Sequence, residues 1–532
     1  MTGILATRLS SIMCEISDMD NSASAPGRYI SDNAMLLQLL QNFLDHEELE
    51  GFVVFYDWTK CFDLIAWKYI HAAMEALGFG PDMMGWVHTL YNLDHPAKRA
   101  VAVNGLTSLP FFIRRSIAQG DSISSILQVI VFEALSRALD KAPYEGIDIP
   151  TVGNQAMRAD GGEATVDETA TSYTVKKQQF ADDTAALMKD ISQFPIATAA
   201  MDRFALASTS RRNESKQEAL AFGTSSPEDA SEFTFTLRWA RDHCPNSPDF
   251  LTPLGSPLAA GEDIEKYWER MYLDFKSRLV TWTKSKYTSI AGKILLSKAM
   301  LVSVATYNFS THLPPEWLLH AMKTDLTNFI WDSEPEAHID QVGSSATRKQ
   351  WLPESWASLP VQAGGLATLD LRCFSDALLL SWIPRYLDPR MPTWKLLPDL
   401  WLSQATGPFR IGPKAVLFSS PTAGKVAIAT PSLMWTRVVE KWMLIREKHE
   451  LTRAYKLSTW EQVMAEPLWF NPEIKLQGLK ITQAILDGTT INRWELIARL
   501  GIHTLRDLWD STDRAWMSER MLLHYATYHG VL

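Results

Sequence analysis

Apolar positions in the first part of the chain change from helical spacing to a continuous run. Between 33 and 44 they recur every three or four residues, as on one face of a helix, and acidic residues follow at 45–50. The run FVVFY at 52–56 then combines β-branched and aromatic side chains without alternation. Such a run predicts a short strand buried on both faces, which ends at Asp57.

Two more helices and a hairpin are predicted over the next ninety positions. Helical spacing returns at 67–77, where the breaker sequence GFGP ends it, and again at 122–139. Between these helices, Asn104-Gly105 tolerates the positive φ of a tight turn. The segment 100–113 is therefore predicted to form a hairpin around that dipeptide.

A second hairpin is predicted after a long loop. Residues 153–172 are polar and glycine-bearing and lack periodicity, which is typical of a loop. Strands are then predicted at 173–180 and 184–188, with Ala181-Asp182-Asp183 at the turn between them.

The second half of the chain is predicted to be mainly helical. The segment 225–257 is rich in Ser, Pro and acidic residues, which indicates a boundary. Beyond it, an apolar stripe from Trp268 to Trp282 predicts a long helix, and we interpret both tryptophans as core residues. Another helix is expected after Thr288. A loop-rich connector at 334–365 precedes helical pieces that alternate with proline-rich links.

Composition narrows the class of protein. With 532 residues, of which 46% are hydrophobic, the chain can form two or three cores. The net charge of −10 excludes a uniformly basic coat, so a phosphate-binding surface has to be local. Four scattered cysteines suggest neither a disulfide framework nor a zinc site. Without a signal pattern or a long apolar run, we expect an intracellular protein, in the nucleus or cytoplasm and without a membrane anchor.

Three carboxylates stand where a metal site can form. Asp57 ends the predicted buried strand, and Asp182 and Asp183 occupy a hairpin turn. If the two strands are neighbours in one sheet, these side chains converge and repel one another unless cations are bound. Mg²⁺ suits such a cluster, and two ions can stabilise a phosphoryl displacement. The alternative is ordinary turn chemistry, because Asp is common in turns.

The segments around these residues resemble a known family. The sequences DWTKCFD at 57–63 and FADDT at 180–184 are similar to the paired palm motifs of LINE-type (non-LTR) retrotransposon reverse transcriptases. Further similarities lie at GRYISDN (27–33), QGD (119–121), Asn213, Lys216, LGSPL (254–258), Trp331, GGL (364–366), PLWFN (467–471), Gly501-Ile502 and Asp507-Leu508.

This resemblance implies both a fold and an activity. The fold would be α+β, with a polymerase right-hand palm of antiparallel sheet and packed helices, a helical thumb and a mostly helical C-terminal region. We place these at 1–225 (palm with a remnant of the fingers), 226–333 (thumb) and 334–532. The function would be RNA-directed DNA polymerisation with two Mg²⁺ ions, or Mn²⁺, acting on an RNA template, a DNA primer and dNTPs.

The same resemblance implies roles for single residues. Asp57, Asp182 and Asp183 would hold the metals, and Lys216 would donate a proton to pyrophosphate or stabilise its charge. The side chains beside nucleotide and template would be Phe62, as a gate against the ribose 2′-hydroxyl, Gln119, Gly120 and Phe180. Phe62 as a core aromatic and Lys216 as a solvated surface lysine are the alternatives.

A basic stretch in the thumb-like region is a candidate for gripping the primer–template duplex. No acidic residue interrupts it. It comprises Lys276, Arg278, Lys284, Lys286, Lys293 and Lys298. Contacts of this kind go mainly to phosphates, and a simple contribution to solubility is the competing interpretation.

Departures from the family pattern leave a second hypothesis open. The fingers segment expected before Ile4 is missing, so we expect an N-terminal truncation without an endonuclease domain. Ala118 replaces the family's Arg, and Ser122 and Ser125 replace its prolines. The alternative to an active polymerase is therefore a catalytically inactive remnant that binds RNA or a protein partner.

Overall fold

The computed structural model describes most of the first half of the chain and parts of the second. The described residues are 2–92, 94–96, 98–151, 172–226, 229, 238–239, 251–258, 262–283, 289–331, 351–405, 413–417, 430–448, 464, 504–510 and 515–516. The predicted loop at 153–172, apart from its last residue, and the motifs at 467–471 and 501–502 lie outside them. So do Lys284 and Lys286.

The strands are short and most of them lie in the first half of the chain. They are β1 Glu50–Tyr56, β2 Trp58–Thr59, β3 Lys98–Arg99, β4 Ala102–Val103, β5 Leu106–Thr107, β6 Phe111–Phe112, β7 Ile147–Pro150, β8 Ser172–Val175, β9 Lys177–Phe180, β10 Asp183–Met188, β11 Arg211–Arg212, β12 Glu218–Gly223, β13 Arg238–Trp239, β14 Trp509–Asp510 and β15 Ala515–Trp516.

Helices occupy much of the remaining described chain. They are α1 Thr2–Ser10, α2 Met13–Ile16, α3 Ile30–His46, α4 Cys61–Leu64, α5 Trp67–Ala76, α6 Pro81–Leu90, α7 Ser124–Lys141, α8 Phe194–Ser208, α9 Glu262–Thr283, α10 Ile290–Leu296, α11 Ser303–Thr311, α12 Glu316–Trp331, α13 Glu354–Ala357, α14 Leu371–Leu380, α15 Trp382–Leu387, α16 Leu396–Ala405, α17 Pro413–Val416 and α18 Leu433–Lys448. A π-helical turn, Ser297–Val302, joins α10 to α11.

A five-stranded sheet in the order β13-β12-β1-β10-β9 forms the centre of the fold. Strand β1 pairs antiparallel with β10 on one side and with β12 on the other, so Phe52 lies opposite both Met188 and Ala221. The strand before Asp57 and the strand after Asp182 are therefore direct neighbours. This is the arrangement on which the predicted convergence of the carboxylates depended.

Both faces of β1 are buried, as the unbroken apolar run predicts. Val53 belongs to one core, in which α3 packs with tryptophans of the C-terminal helices. Phe52 and Val54 belong to a second core, which α5, α7 and α8 cover on the opposite face. Successive side chains of a strand point to opposite faces, so a strand between two cores has no polar positions.

A third core lies in the helices beyond residue 262. Trp268 is 2% exposed and packs with Phe309 of α11, and Trp282 packs partly buried at the edge. The continuous helical stretch Ile290–Thr311 is long and apolar enough to cross a bilayer by length and composition alone. Only 28% of its apolar window is buried, with Leu301 and Ala305 fully buried in the third core. Core helices of other proteins pass the same test.

One predicted element differs in the structure. The single strand predicted at 173–180 is divided at Lys176 into β8 and β9. β8 pairs with β7, with Ile147 opposite Val175, whereas β9 pairs with β10. The chain passes from one sheet into another at this point, and the residue pattern carries no signal of that change. The hairpin predicted around Asn104-Gly105 is present, with positive φ at both residues.

Candidate active site

Asp57 follows β1 directly and is held by residues from a turn far along the chain. The backbone N–H of Asn213 donates to the Asp57 carbonyl oxygen at 2.8 Å. Its side-chain amide donates to Asp57 Oδ2 at 3.0 Å. Lys216 Nζ lies 3.6 Å from the same Oδ2. Asn213 and Lys216, which the family resemblance implied together, thus meet at the carboxylate that the strand pattern indicated.

Asp182 and Asp183 lie at the tight turn that joins β9 to β10. Phe180 pairs with Asp183, so the loop consists of Ala181 and Asp182, and Ala181 has a φ of 58°. A two-residue hairpin turn requires a positive φ in its loop, and at Ala181 this conformation carries some strain because the residue has a Cβ. Thr184, which follows Asp183, lies opposite Tyr56. The turn is therefore beside the end of β1.

The electrostatics of these carboxylates are unfavourable to their joint ionisation. Burial, followed by the charges of Asp182 and Asp57, raises the pKa of Asp183 from 3.8 to about 6. On the other side, burial, and after it the neighbouring Asp182 carboxylate, raises the pKa of the Cys61 thiol to about 12. Among the described residues, no three His, Cys, Asp or Glu side chains form a preformed metal-binding group. The repulsion at Asp183 is nevertheless of the kind that a cation relieves.

A cavity of about 310 Å³ opens beside Asp57 and Asp183, and Asp182 is not among its lining residues. Asp57, Asp183 and Lys216 lie on its wall together with Asn33, Leu37, Phe55, Tyr56, Gln178, Thr184, Ala185, Glu218, Thr252, Pro253 and Leu254. Leu254 has a φ of 55°, in the same left-handed region as Ala181. The cavity therefore combines three carboxylates, those of Asp57, Asp183 and Glu218, and an ammonium group with both polar and apolar side chains. Apolar walls with a few charged and polar groups are the general character of a ligand site.

Some cavity residues were not predicted from the sequence. The sequence indicates Asn33 only as part of the segment 27–33, and Gln178 carries no signal of its own. The two are linked, since Gln178 Nε2 donates to the Asn33 carbonyl oxygen at 2.7 Å. Asn33 Nδ2 in turn donates to the Gln179 carbonyl oxygen at 2.8 Å. These bonds fasten α3 to the strand that leads to Asp182.

The four residues predicted to lie beside nucleotide and template do not line this cavity, although all four are described. Phe62 is partly buried against the second core, as is Phe180. Gln119 is exposed and its Nε2 lies 3.4 Å from Asp63 Oδ1, one residue after Phe62. Gly120 has a φ of +82°, and a Cβ there would meet nothing within 4 Å.

Only some residues of the predicted basic stretch are exposed on the surface. Lys276 is buried, with its Nζ 5.5 Å from the centre of the Tyr272 ring, so it is not on a face that phosphates can reach. Lys293 is half-buried over Phe329. Arg278 and Lys298 are exposed. Helical periodicity explains the difference, because Lys276 follows Phe275 on the apolar stripe of α9.

Comparisons with known proteins agree with the motifs. Residues 1–245 match the family model described as reverse transcriptase (RNA-dependent DNA polymerase). The chain is 23% identical over 481 residues to the 149 kDa protein of transposon TX1 from Xenopus laevis, covering 90% of this chain and 33% of that protein. It is 28% identical over 123 residues to an Arabidopsis thaliana protein with the provisional name ribonuclease H protein, covering 23% of this chain and 18% of that one.

These matches confirm the predicted resemblance to a LINE-type reverse transcriptase. The chain spans about a third of the length of the Xenopus relative and under a fifth of the Arabidopsis one. The mixed helix and sheet composition predicted from the sequence is also present.

Proposed function

We propose that this chain is the RNA-directed DNA polymerase of a retrotransposon. Residues 1–245 match the reverse transcriptase family model, and the chain is similar to a transposon protein, which supports the proposal. The central sheet with its covering helices would be the palm, and the helices from Glu262 to Trp331 would be the thumb. The observation that carries the proposal is the meeting of Asp57, Asp183 and Lys216 on one cavity wall.

Divalent cations fit the donor set at this wall. Mg²⁺ takes oxygen ligands from one or two carboxylates and completes its shell with water and substrate phosphates. Asp57, Asp182 and Asp183 would hold two such ions, with Mn²⁺ as an alternative. Bound there, the ions supply positive charge that stabilises the attacking and leaving oxygens of a phosphoryl displacement.

The reaction is an in-line displacement. The oxygen of the primer 3′-hydroxyl forms a bond to the α-phosphorus of a dNTP, its proton is released, and the bond to the leaving pyrophosphate breaks. Lys216, two-thirds exposed beside Asp57, donates a proton to the pyrophosphate or stabilises its charge. Asn213 orients the Asp57 carboxylate through the hydrogen bond at Oδ2. The substrates would be an RNA template, a DNA primer and dNTPs.

The remaining predicted residues are assigned to substrate selection and grip. Phe62 would exclude the ribose 2′-hydroxyl, while Gln119, Gly120 and Phe180 would border the nucleotide and template. Arg278 and Lys298 are exposed and would contact the duplex backbone. The half-buried Lys293 would lie at the edge of that contact. Such contacts go to phosphates and do not depend on sequence.

Primer extension on an RNA template tests the proposal. We expect the wild-type chain to extend a DNA primer in Mg²⁺, and the double variant Asp182→Asn, Asp183→Asn to be at least about a hundredfold slower. Asp82→Asn, on an exposed helix start, serves as the matched control and should retain the wild-type rate. RNA binding without any extension by the folded wild-type chain would overturn the proposal and favour the inactive, RNA-binding alternative.

A further inference from the structure

A two-stranded ribbon between residues 98 and 112 projects from the body of the protein. At its base β3 pairs with β6, and at its tip β4 pairs with β5 around the turn Asn104-Gly105. Val101 and Ser108 connect the two pairs through a backbone hydrogen bond of 2.8 Å. Every residue from 98 to 112 is exposed. An isolated two-stranded ribbon is at best marginally stable in water, so its large exposed surface calls for an explanation.

The ribbon and its base carry a local excess of positive charge. From residue 96 to residue 120 the sequence contains no Asp or Glu, although the chain as a whole has a net charge of −10. The four cations in this interval are all exposed, and they are Lys98, Arg99, Arg114 and Arg115. A concentration of unopposed cations on one projecting element is the electrostatic footprint of a polyanion partner.

Large apolar side chains are exposed on the same element. They are Val101, Val103, Leu106, Leu109, Phe111 and Phe112. Phe111 and Phe112 are 44% and 57% exposed, and each lies opposite a cation, since Phe112 pairs with Lys98 and Phe111 pairs with Arg99. Lys98 Nζ lies 5.9 Å from the centre of the Phe112 ring. Both faces of the ribbon thus present an aromatic ring beside a positive charge.

We propose that this ribbon binds single-stranded nucleic acid, namely the unpaired template ahead of the catalytic cavity. Phosphates of the strand contact Lys98, Arg99, Arg114 and Arg115, and unpaired bases stack on Phe111 and Phe112. Surfaces that bind single strands without sequence preference combine these two features, because every base has a face that stacks and every nucleotide has a phosphate. The identity of the strand as template rests on the proposed function.

The attachment of the ribbon supports this assignment. At its base, Ile117 N–H donates to the Phe62 carbonyl oxygen at 2.7 Å, and Ser116 N–H donates to the Ile65 carbonyl oxygen at 2.9 Å. Arg115 forms an isolated antiparallel bridge with Ala66. The ribbon therefore leaves the body of the protein beside Phe62. After its last strand the chain continues through residues 113–118 to Gln119 and Gly120. A strand held on it is led toward the residues assigned to nucleotide and template.

Equilibrium binding of a fluorescein-labelled single-stranded RNA by the full chain, without dNTP, tests this inference. We expect Lys98→Glu with Arg99→Glu to raise the Kd at least tenfold and to reduce the slope of log K against log salt by about 1.4, given about 0.7 per phosphate contact on a single strand. Phe111→Ser with Phe112→Ser should raise the Kd at least about fivefold. A blunt duplex of the same sequence should bind more weakly than the single strand.

The matched control reverses two exposed cations elsewhere, Lys141→Glu with Arg437→Glu, and should leave the Kd within about twofold of the wild type. A thermal melt of each variant verifies folding, which substitutions at exposed positions should leave intact. Unchanged RNA affinity in both ribbon variants would overturn the inference, as would equal losses in the control. Because binding needs no turnover, ribbon-dependent binding without primer extension would contradict the polymerase proposal alone.

Discussion

The side-chain amide of Asn213 donates a hydrogen bond of 3.0 Å to Asp57 Oδ2 across 156 positions of sequence. A second bond, from the Asn213 backbone N–H to the Asp57 carbonyl oxygen, fixes the same two residues to each other. Together these bonds tie the turn after β11 to the end of β1. The orientation of the Asp57 carboxylate thus depends on a residue outside its own strand.

Loss of the Asn213 side-chain amide should therefore weaken the binding of Mg²⁺ by the Asp57 carboxylate. In Asn213→Ala we expect primer extension to require about 10- to 100-fold more Mg²⁺ for half its maximal rate, since partners that orient a ligand have effects of this size. Titration of Mg²⁺ in the extension assay measures this. Glu214→Gln, on the same turn but directed at Arg212, is the control. An unchanged Mg²⁺ requirement in Asn213→Ala would refute the positioning role.

A buried lysine holds the β9 strand to the N-terminal segment. Lys177 is 1% exposed, and its Nζ lies 2.5 Å from Asp140, 3.2 Å from Asp18 and 3.6 Å from Asp20. Burial raises the pKa of Asp20 to about 6, and the charge of Lys177 opposes that rise. Removing the cation leaves the buried Asp20 carboxylate without its compensating charge, beside the partly exposed carboxylates of Asp18 and Asp140.

We accordingly expect Lys177→Met to lower the free energy of unfolding by about 3–5 kcal/mol at neutral pH. Lys189→Met is the matched control, because Lys189 and Asp148 form a pair of similar length whose side chains are about 40% exposed. Its loss should cost about 1 kcal/mol or less. Chemical denaturation measures both values, and equal costs for the two variants would show that the buried network does not stabilise the fold.

His312 should make the stability depend on pH. Burial lowers its pKa from 6.5 to about 4, against a hydrogen bond to the Pro257 backbone that raises it. Between these values the unfolded chain binds more protons than the folded one, so stability from this residue is lost as pH falls from about 6.5 to about 4.

The expected loss is up to about 3 kcal/mol across that window. Unfolding free energies of the wild type and His312→Gln at several pH values measure it, because the difference between the two isolates the contribution of this residue. His46→Gln, at the exposed end of α3, should follow the wild-type curve. Parallel curves for wild type and His312→Gln would contradict the assignment.

The sequence predicted most of the site but little of its surroundings. Asp57 and the Asp182–Asp183 turn were identified because a buried strand end and a hairpin are short-range signals. Asn213 and Lys216 were implied only by the resemblance to the reverse transcriptase family. Gln178 was not, because its role depends on a contact with Asn33 from a different element. Likewise, the burial of Lys276 follows from helix packing and not from its charge.

The C-terminal helices were predicted, but their place in the fold was not. Trp382, Trp394 and Trp435 are each at most 1% exposed and share a core with Leu36 and Leu40 of α3. Trp394 Nε1 donates to Asp32 Oδ1 at 2.8 Å, and Arg385 donates to the same oxygen at 2.6 Å. Such long-range packing leaves no periodic signal in the sequence.

A chain that ends at residue 258 should therefore fail to fold cooperatively, although it contains every predicted catalytic residue. It would expose the face of α3 that these tryptophans cover. Trp394→Ala in the full chain should cost about 3–5 kcal/mol for the same reason. Near-ultraviolet circular dichroism and a thermal melt measure both effects. A cooperative melt of the shortened chain near that of the full chain would show that the shared core is dispensable.

Single-nucleotide incorporation on an RNA template tests most directly whether the Asp57 cavity performs nucleotide addition. We predict that the folded wild-type chain adds the complementary deoxynucleotide in Mg²⁺. Asp57→Asn, with the Asn213 bond still available, should be at least about a hundredfold slower, while Asp82→Asn retains the wild-type rate. Equal rates in wild type and Asp57→Asn, or no incorporation by a wild-type chain that melts cooperatively, would contradict the account.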